Sequence, residues 1–375
     1  MKILHVITGL EQGGAEGVLY RLVAATPHHE HVVVSLGDEG HFGSRLRTAG
    51  VALHTLDMSR RRFGVIRGLW RLCGLIRAER PDLVQTWLYH ADLIGGVAAR
   101  LCGVRAVIWN VRNHALEVGM IRRSTRWVAR ACARLSRTVP RQTVFCSERA
   151  MAVHSAFGYC SNRMRLISNG YDLRRFAPDP LLRAQVRASL DVADDVVLIG
   201  MVARFDPQKD HATLLRALRL SSSDLRCVLV GEGMVSSNAA LGASMAGLED
   251  RILLLGPRDD VPAIMNALDL HVLSSAGEAF PNVVAEAMAC GTPCVVTDVG
   301  DAAWIVGDTG WVVPPRDADA LAQAIDGAVA ALAAPDIEER RRRCRERILQ
   351  RFDMDRMVAA YERLWDQAVK DVRYP

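Results

Sequence analysis

The chain is predicted to be an α/β protein made of two doubly wound parallel sheets. Three observations lead there: continuous apolar runs, helical patterns between them, and a length of 375 residues. KILHVIT, HVVVSL, DLVQTW, RAVIWN and QTVFCS in the first half are rich in Val, Ile and Leu, as are DVVLIGMV, LRCVLVG, RILLLG, LDLHVLS and TPCVVT in the second. Runs without polar alternation belong to strands buried on both faces. Strand–helix alternation carried through twice implies two Rossmann-like units, and the length exceeds one ordinary core. The proline-rich Ala177-Pro178-Asp179-Pro180 marks the seam. The expected domains are therefore 1–177 and 178–353, followed by a terminal segment, 354–375. Within it Met357, Tyr361, Leu364, Trp365 and Ala368 fall on one helical face.

Composition excludes several classes. Half the residues are hydrophobic, which excludes disorder. MKILHVITGL reads as a first strand and not a signal peptide, since EQGG follows at once. Arginines interrupt every apolar stretch before it reaches membrane-spanning length. The nine cysteines are scattered, as reduced thiols of a cytoplasmic protein would be. Cys290 and Cys294 lack further ligands in their apolar segment, so they are expected to be packing residues and no metal is expected. Charge is divided unevenly. Residues 1–183 hold 27 Lys and Arg against 13 Asp and Glu, and the remainder holds 20 against 29. The basic half is suited to an anionic partner.

The segment SSAGEAFPNVVAEAMACGTPCVVT, 274–297, carries the most chemistry. Pro281 suits the first turn of a helix, where its missing N–H has no partner anyway. The amides of Asn282, Val283 and Val284 would then open toward an anion at the positive end of the helix dipole. Glu278 stands just before that helix. Glu286, about two turns later, can accept two hydrogen bonds from a vicinal diol such as a ribose. A sugar, a diphosphate and a ribose together describe a sugar nucleotide.

On these residues the chain resembles the retaining glycosyltransferases of family 4, which have the GT-B fold. The resemblance rests on Glu278-x7-Glu286 with Phe280-Pro281-Asn282 between and EAMACGTP after. Gly13-Gly14-Ala15-Glu16, Asn169-Gly170-Tyr171-Asp172, Arg204 to Lys209 and Gly231-Glu232-Gly233 extend it over nearly the whole chain. It implies two domains facing across a cleft, with the last helix crossing back onto the first. It also implies transfer of a sugar from a UDP- or GDP-sugar, without a metal, to a hydroxyl of a glycan or lipid-linked acceptor. Bacterial-type polysaccharide or glycolipid synthesis is the expected setting. By the same resemblance Arg204 and Lys209 stabilise the leaving diphosphate, Glu278 holds sugar hydroxyls, and Phe280, Pro281, Asn282, Val283 and Glu286 line the donor site.

Further candidates follow from position. Gly13 and Gly14 end the first strand and open a helix, a place where backbone can approach an anion. The spacing is not that of a dinucleotide fingerprint, which excludes NAD, and a plain tight turn is the competing reading. Arg204 and Lys209 suit a pyrophosphate as fork and point charge. The competing reading pairs them with Asp206 and Asp210 on the surface. Arg258 is a nucleobase-side candidate. The family's usual histidine falls at Asn113 or His114, so either His114 is catalytic or it is a loop histidine. Arg112 could meet an anionic acceptor. Trp304 stands near where relatives carry a glutamate, and Arg340 to Arg347 read as a solvated helix face.

Residues 60–77 and 121–137 combine arginines with Trp70 and Trp127 at helical spacing. They fit either crossover helices or a docking surface for an anionic membrane, at its inner face. Nucleic acid is excluded as a partner, because no binding motif or stacking stripe is present. Two alternatives to the transferase stay open: a degenerate sugar-nucleotide-binding subunit, and a 2-epimerase of the same architecture. With Lys2, Lys209 and Lys370 the only lysines, a pyridoxal-dependent phosphorylase lacks its cofactor residue.

Overall fold

The computed structural model describes residues 1–11, 13–58, 64–112 and 122–373. Gln12, the arginines at 60–62, and the expectations for Asn113 and His114 lie outside them. The chain divides into two compact units, 1–170 with 355–375, and 171–354. The division falls at Gly170/Tyr171, where the sequence reading put it after residue 177.

The first unit runs β1 (Lys2–Ile7), α1 (Gly14–Ala25), β2 (Glu30–Ser35), α2 (Gly40–Thr48), β3 (Ala52–Thr55), α3 (Gly64–Glu79), β4 (Leu83–Trp87), α4 (Tyr89–Leu101), β5 (Val107–Val111), α5 (Arg123–Leu135), β6 (Gln142–Phe145), α6 (Glu148–Phe157) and β7 (Met164–Leu166). Its seven strands are ordered β3-β2-β1-β4-β5-β6-β7, and the registers are parallel. Strand interiors such as Leu4, Val6, Val34, Val84 and Trp109 form the core with helix residues. Burial of apolar surface on both faces, at about 25 cal/mol per Å², is what holds such a sheet.

The second unit runs α7 (Pro180–Ser189), β8 (Leu198–Val202), α8 (His211–Leu220), β9 (Arg226–Val230), α9 (Ala239–Met245), β10 (Ile252–Gly256), α10 (Val261–Ala267), β11 (Leu270–Leu273), α11 (Asn282–Ala289), β12 (Cys294–Thr297), α12 (Ala302–Val306), β13 (Trp311–Val313), α13 (Ala318–Leu332) and α14 (Ile337–Arg351). Its six strands are ordered β10-β9-β8-β11-β12-β13, again parallel. The order reverses between β8 and β11, and at such a switch point the loops diverge and leave a crevice beyond the strand ends.

The final helix, α15 (Met354–Arg373), packs within the first unit. Met357, Tyr361, Leu364, Trp365 and Ala368 are all buried, as their spacing predicts. Trp365 Nε1 donates to Gln85 Oε1 at 2.5 Å, and Tyr361 Oη donates to Asn110 Oδ1 at 2.8 Å.

Arg112 corrects an expectation. It is buried at the end of β5 and donates to Asn169 Oδ1 and Tyr361 Oη, with its guanidinium 5.2 Å from the Trp87 ring. It is a core strut and does not offer its charge to an acceptor. The arginines of α14 are also more than a solvated face. Arg345 donates to the Leu173, Phe176 and Ala289 carbonyls, and Arg347 to those of Trp304 and Ile305.

Candidate active site

Two loops of the second unit meet at its switch point. The loop after β8 carries Arg204 to Lys209, and the loop after β11 carries Ser274 to Pro281. They are joined through the backbone. Ala276 N–H donates to the Gln208 carbonyl at 2.8 Å, and Ser274 Oγ reaches the Lys209 and Asp210 carbonyls at 3.1 Å each. Asp210 takes a left-handed conformation, φ 48°, and caps α8 by accepting from the Thr213 amide. The left-handed region is one that Asp tolerates better than most residues. That turn places Lys209 beside the second loop.

Lys209 Nζ donates to Glu278 Oε1 at 2.5 Å, and Ser275 Oγ donates to the same oxygen at 2.8 Å. The pair is largely shielded, with side chains 23% and 12% exposed. Arg204 is half exposed and lies 3.5 Å from Asp206 Oδ2. Lys209 therefore takes the site partner, whereas Arg204 takes the surface partner. The backbone of Glu278 is set by Gly300 in the loop after β12. Gly300 has φ +52°, and a Cβ there would lie 2.4 Å from the carbonyl oxygens of Glu278 and Ala279. This close approach of Gly300 to Glu278 is visible only in the fold.

α11 begins at Asn282 with Pro281 as its cap residue. The Val284 amide donates to the Pro281 carbonyl at 3.1 Å, so it drops out of the three amides expected to face an anion. Tyr171 Oη donates to Asn282 Oδ1 at 2.7 Å, a contact hidden in the sequence although Tyr171 belongs to the Asn169–Asp172 motif. Phe280 is buried against Phe352, with ring centroids 5.5 Å apart, and Trp304 meets the same ring at 5.1 Å. The Phe280 ring thus anchors the loop. Trp304 fills the space behind it. Val283 and Glu286 are half-buried on α11.

Arg258 forms a two-pronged contact with Asp260, Nε to Oδ1 at 2.7 Å and a terminal nitrogen to Oδ2 at 2.6 Å. This pairing raises the arginine's pKa and holds the Asp260 carboxyl below its ordinary value. A nucleobase would have to share Arg258 with that carboxylate. In the first unit Gly13 caps α1 and Gly14 opens it. The Glu16 carboxylate folds over this turn, so that a Cβ on Gly13 would stand 2.3 Å from Oε2. The negative group at this helix start is the chain's own, in the manner of a capping box.

The arrangement can hold a diphosphate by Lys209 and the start of α11, and sugar hydroxyls by Glu278. The family model for glycosyltransferase family 4 matches residues 12–175, and that for glycosyl transferases group 1 matches 196–330. The chain belongs to glycosyltransferase family 4. This family 4 enzyme is 27% identical over 312 residues to EpsF of Bacillus subtilis (strain 168), itself named only provisionally as a glycosyltransferase, with 79% of each chain covered. It is 26% identical over 317 residues to the UDP-Gal:alpha-D-GlcNAc-diphosphoundecaprenol alpha-1,3-galactosyltransferase of Escherichia coli, covering 78% of this chain and 77% of that one. Its fold matches Anabaena Alr3699/HepE in complex with UDP-glucose at a TM-score of 0.84 and 22% identity, over 100% of both chains. The family 4 glycosyltransferase has the GT-B architecture of two parallel-sheet, Rossmann-like units.

Proposed function

We propose that this glycosyltransferase moves a sugar from a nucleoside diphosphate donor to a hydroxyl of a glycan or lipid-linked acceptor, with retention of anomeric configuration. The observation that carries the reading is the Lys209–Glu278 pair at the β8/β11 switch point, beside the start of α11. As the glycosidic bond breaks, negative charge grows on the departing diphosphate and positive charge on the sugar ring. Lys209, the helix start at Asn282 and Arg204, once it turns from Asp206, meet the first charge. Such preorganised groups act on charge that develops, which is where electrostatic catalysis gains most. Glu278 holds sugar hydroxyls on the other side of the same bond, and Glu286 holds the ribose. Asn282 and Val283 supply the helix-start contact, and Pro281 shapes its entry. With cations already at the diphosphate, the reading includes no divalent metal, and added Mg²⁺ or Mn²⁺ should not raise turnover. Gly13 and Gly14 are part of the proposed donor contacts.

A uridine base is favoured by two relatives: HepE holds UDP-glucose, and the Escherichia coli enzyme takes UDP-Gal. The latter's acceptor is a diphosphoundecaprenol-linked sugar, which supports a lipid-linked acceptor here. We place the enzyme in the cytoplasm, docked on the inner membrane face through α3 and α5. Among the described residues no single helix is long and apolar enough to cross a membrane.

The test is a thermal-shift series of the purified chain with UDP, GDP, ADP and their sugar conjugates. A ligand that binds only the folded state raises the melting temperature by mass action. A shift with UDP and UDP-sugars that Lys209→Ala removes is the expected result. No shift with any nucleotide would overturn the donor site and favour a subunit that has lost it.

A further inference from the structure

Three side chains of the first unit that could ligate a metal lie together. α1 ends before a tight turn, closed by the His29 amide donating to the Thr26 carbonyl at 3.1 Å, and β2 starts at Glu30. His28 and His29 sit in that turn. Glu362 comes from α15, on the helix whose Tyr361 and Trp365 are buried in the same unit. His28 Nε2 lies 2.7 Å from Glu362 Oε1, and His29 Nε2 lies 3.8 Å from the same oxygen. One ligand atom from each of the three falls within 4.8 Å of the others.

We propose that His28, His29 and Glu362 bind a divalent transition metal of the Zn²⁺ class, fastening the C-terminal helix to the α1–β2 turn. In a tetrahedral site with bonds of about 2.0–2.1 Å, neighbouring ligand atoms stand about 3.3 Å apart. The two measured separations, 2.7 and 3.8 Å, lie on either side of that value. Small side-chain rotations would equalise them, and water takes the fourth position. Two imidazoles with one carboxylate form a set that suits zinc and its neighbours better than magnesium or calcium. The two rings are 4.2 Å apart. Glu362 and the following Asp366 share a face of α15 at i, i+4 spacing, and Asp366 adds negative potential beside His29.

The experiment uses the full chain, stripped with a chelator and titrated with Zn²⁺ by calorimetry and by melting temperature. One equivalent should bind and raise the melting temperature. His28→Ala and Glu362→Gln should each weaken binding by about tenfold or more, with metal-free melting temperatures close to the parent's. His28 is mostly exposed, with a side chain 59% accessible, so its removal leaves the core intact. Co²⁺ in place of zinc should show d–d absorption without a thiolate charge-transfer band. Absence of binding in the parent, unchanged affinity in both variants, or a thiolate band would each overturn the proposal.

Discussion

Lys209 and Glu278, 69 positions apart in the chain, meet at 2.5 Å across two loops of one Rossmann-like unit. Each neutralises the other. A diphosphate donor would compete with Glu278 for the ammonium, so the two residues should fail in different ways. Lys209→Ala should weaken UDP binding by roughly 10- to 100-fold, the scale of a lost charge-assisted contact. Glu278→Ala frees Lys209, so UDP binding should stay level or tighten while turnover falls by about 10² or more. Calorimetry with UDP beside initial rates with the sugar donor separates the two. Equal loss of UDP affinity in both variants would contradict these roles.

Gly300 offers a test of placement without touching charge. With φ at +52° and two carbonyl oxygens 2.4 Å from any added Cβ, alanine there must push the Glu278–Ala279 backbone away. The expected cost is about 1–3 kcal/mol of stability, with turnover falling further than UDP affinity. A Gly300→Ala chain with parental kcat would mean that the Glu278 backbone position is not what Gly300 protects.

Legibility in the sequence followed burial. Ten strands could be read from their apolar runs, the five-residue end strand β10 among them, whereas β3, β7 and β13 could not. These three lie at sheet ends, are three or four residues long and are partly exposed, so they lack a continuous apolar signal. Lys209 and Glu278 were both legible as site residues through the family resemblance, whereas their direct ion pair was not. Arg112 was misjudged because a loop arginine reads as exposed, while its partners Asn169 and Tyr361 come from distant segments. The burial of the Phe280 ring was hidden for the related reason that a motif does not show which way a ring turns. The Arg340–Arg347 run concealed its bonds to carbonyls, which have no sequence signature.

Acid sensitivity should follow from buried histidines. Burial holds His271 at about 3, and among the described residues neither of its ring nitrogens has a hydrogen-bond partner. Burial, and then the charge of Lys209, hold His211 at about 4; burial also holds His31 at about 4, against the bond to Thr26. In the unfolded chain each would titrate near 6.5. Below that pH the unfolded state binds protons that the folded state refuses. Stability is therefore full above about pH 6.5 and falls as pH drops toward 4, by about 1.4 kcal/mol per pH unit for each histidine. Urea midpoints at several pH values between 7.5 and 4.5 should trace that fall. His271→Leu should make the slope shallower by one group's share; an unchanged slope would remove His271 from the account.

The basic helices of the first unit separate membrane docking from simple crossover packing. α4 packs between α3 and α5, so the two basic helices flank it. Trp70 is 72% exposed on α3, near Ile66 at 64%, and Trp127 is 67% exposed on α5 with Arg130 5.1 Å from its ring. A crossover helix needs its inner face buried and gains nothing from an exposed tryptophan. A helix lying at an anionic interface gains from both the ring and the arginines, at about 1 kcal/mol per basic residue near the surface. Replacing Trp70 and Trp127 with serine, and Arg67 and Arg123 with glutamate, should lower binding to phosphatidylglycerol vesicles by about tenfold or more. The melting shift with UDP should be unchanged, because these residues lie outside the donor loops. Vesicle flotation at low and high salt reads the effect, and the parent should lose most of its binding at high salt. Equal flotation of parent and variant would leave α3 and α5 as crossover helices only, and the acceptor would then have to reach the enzyme without a docked surface.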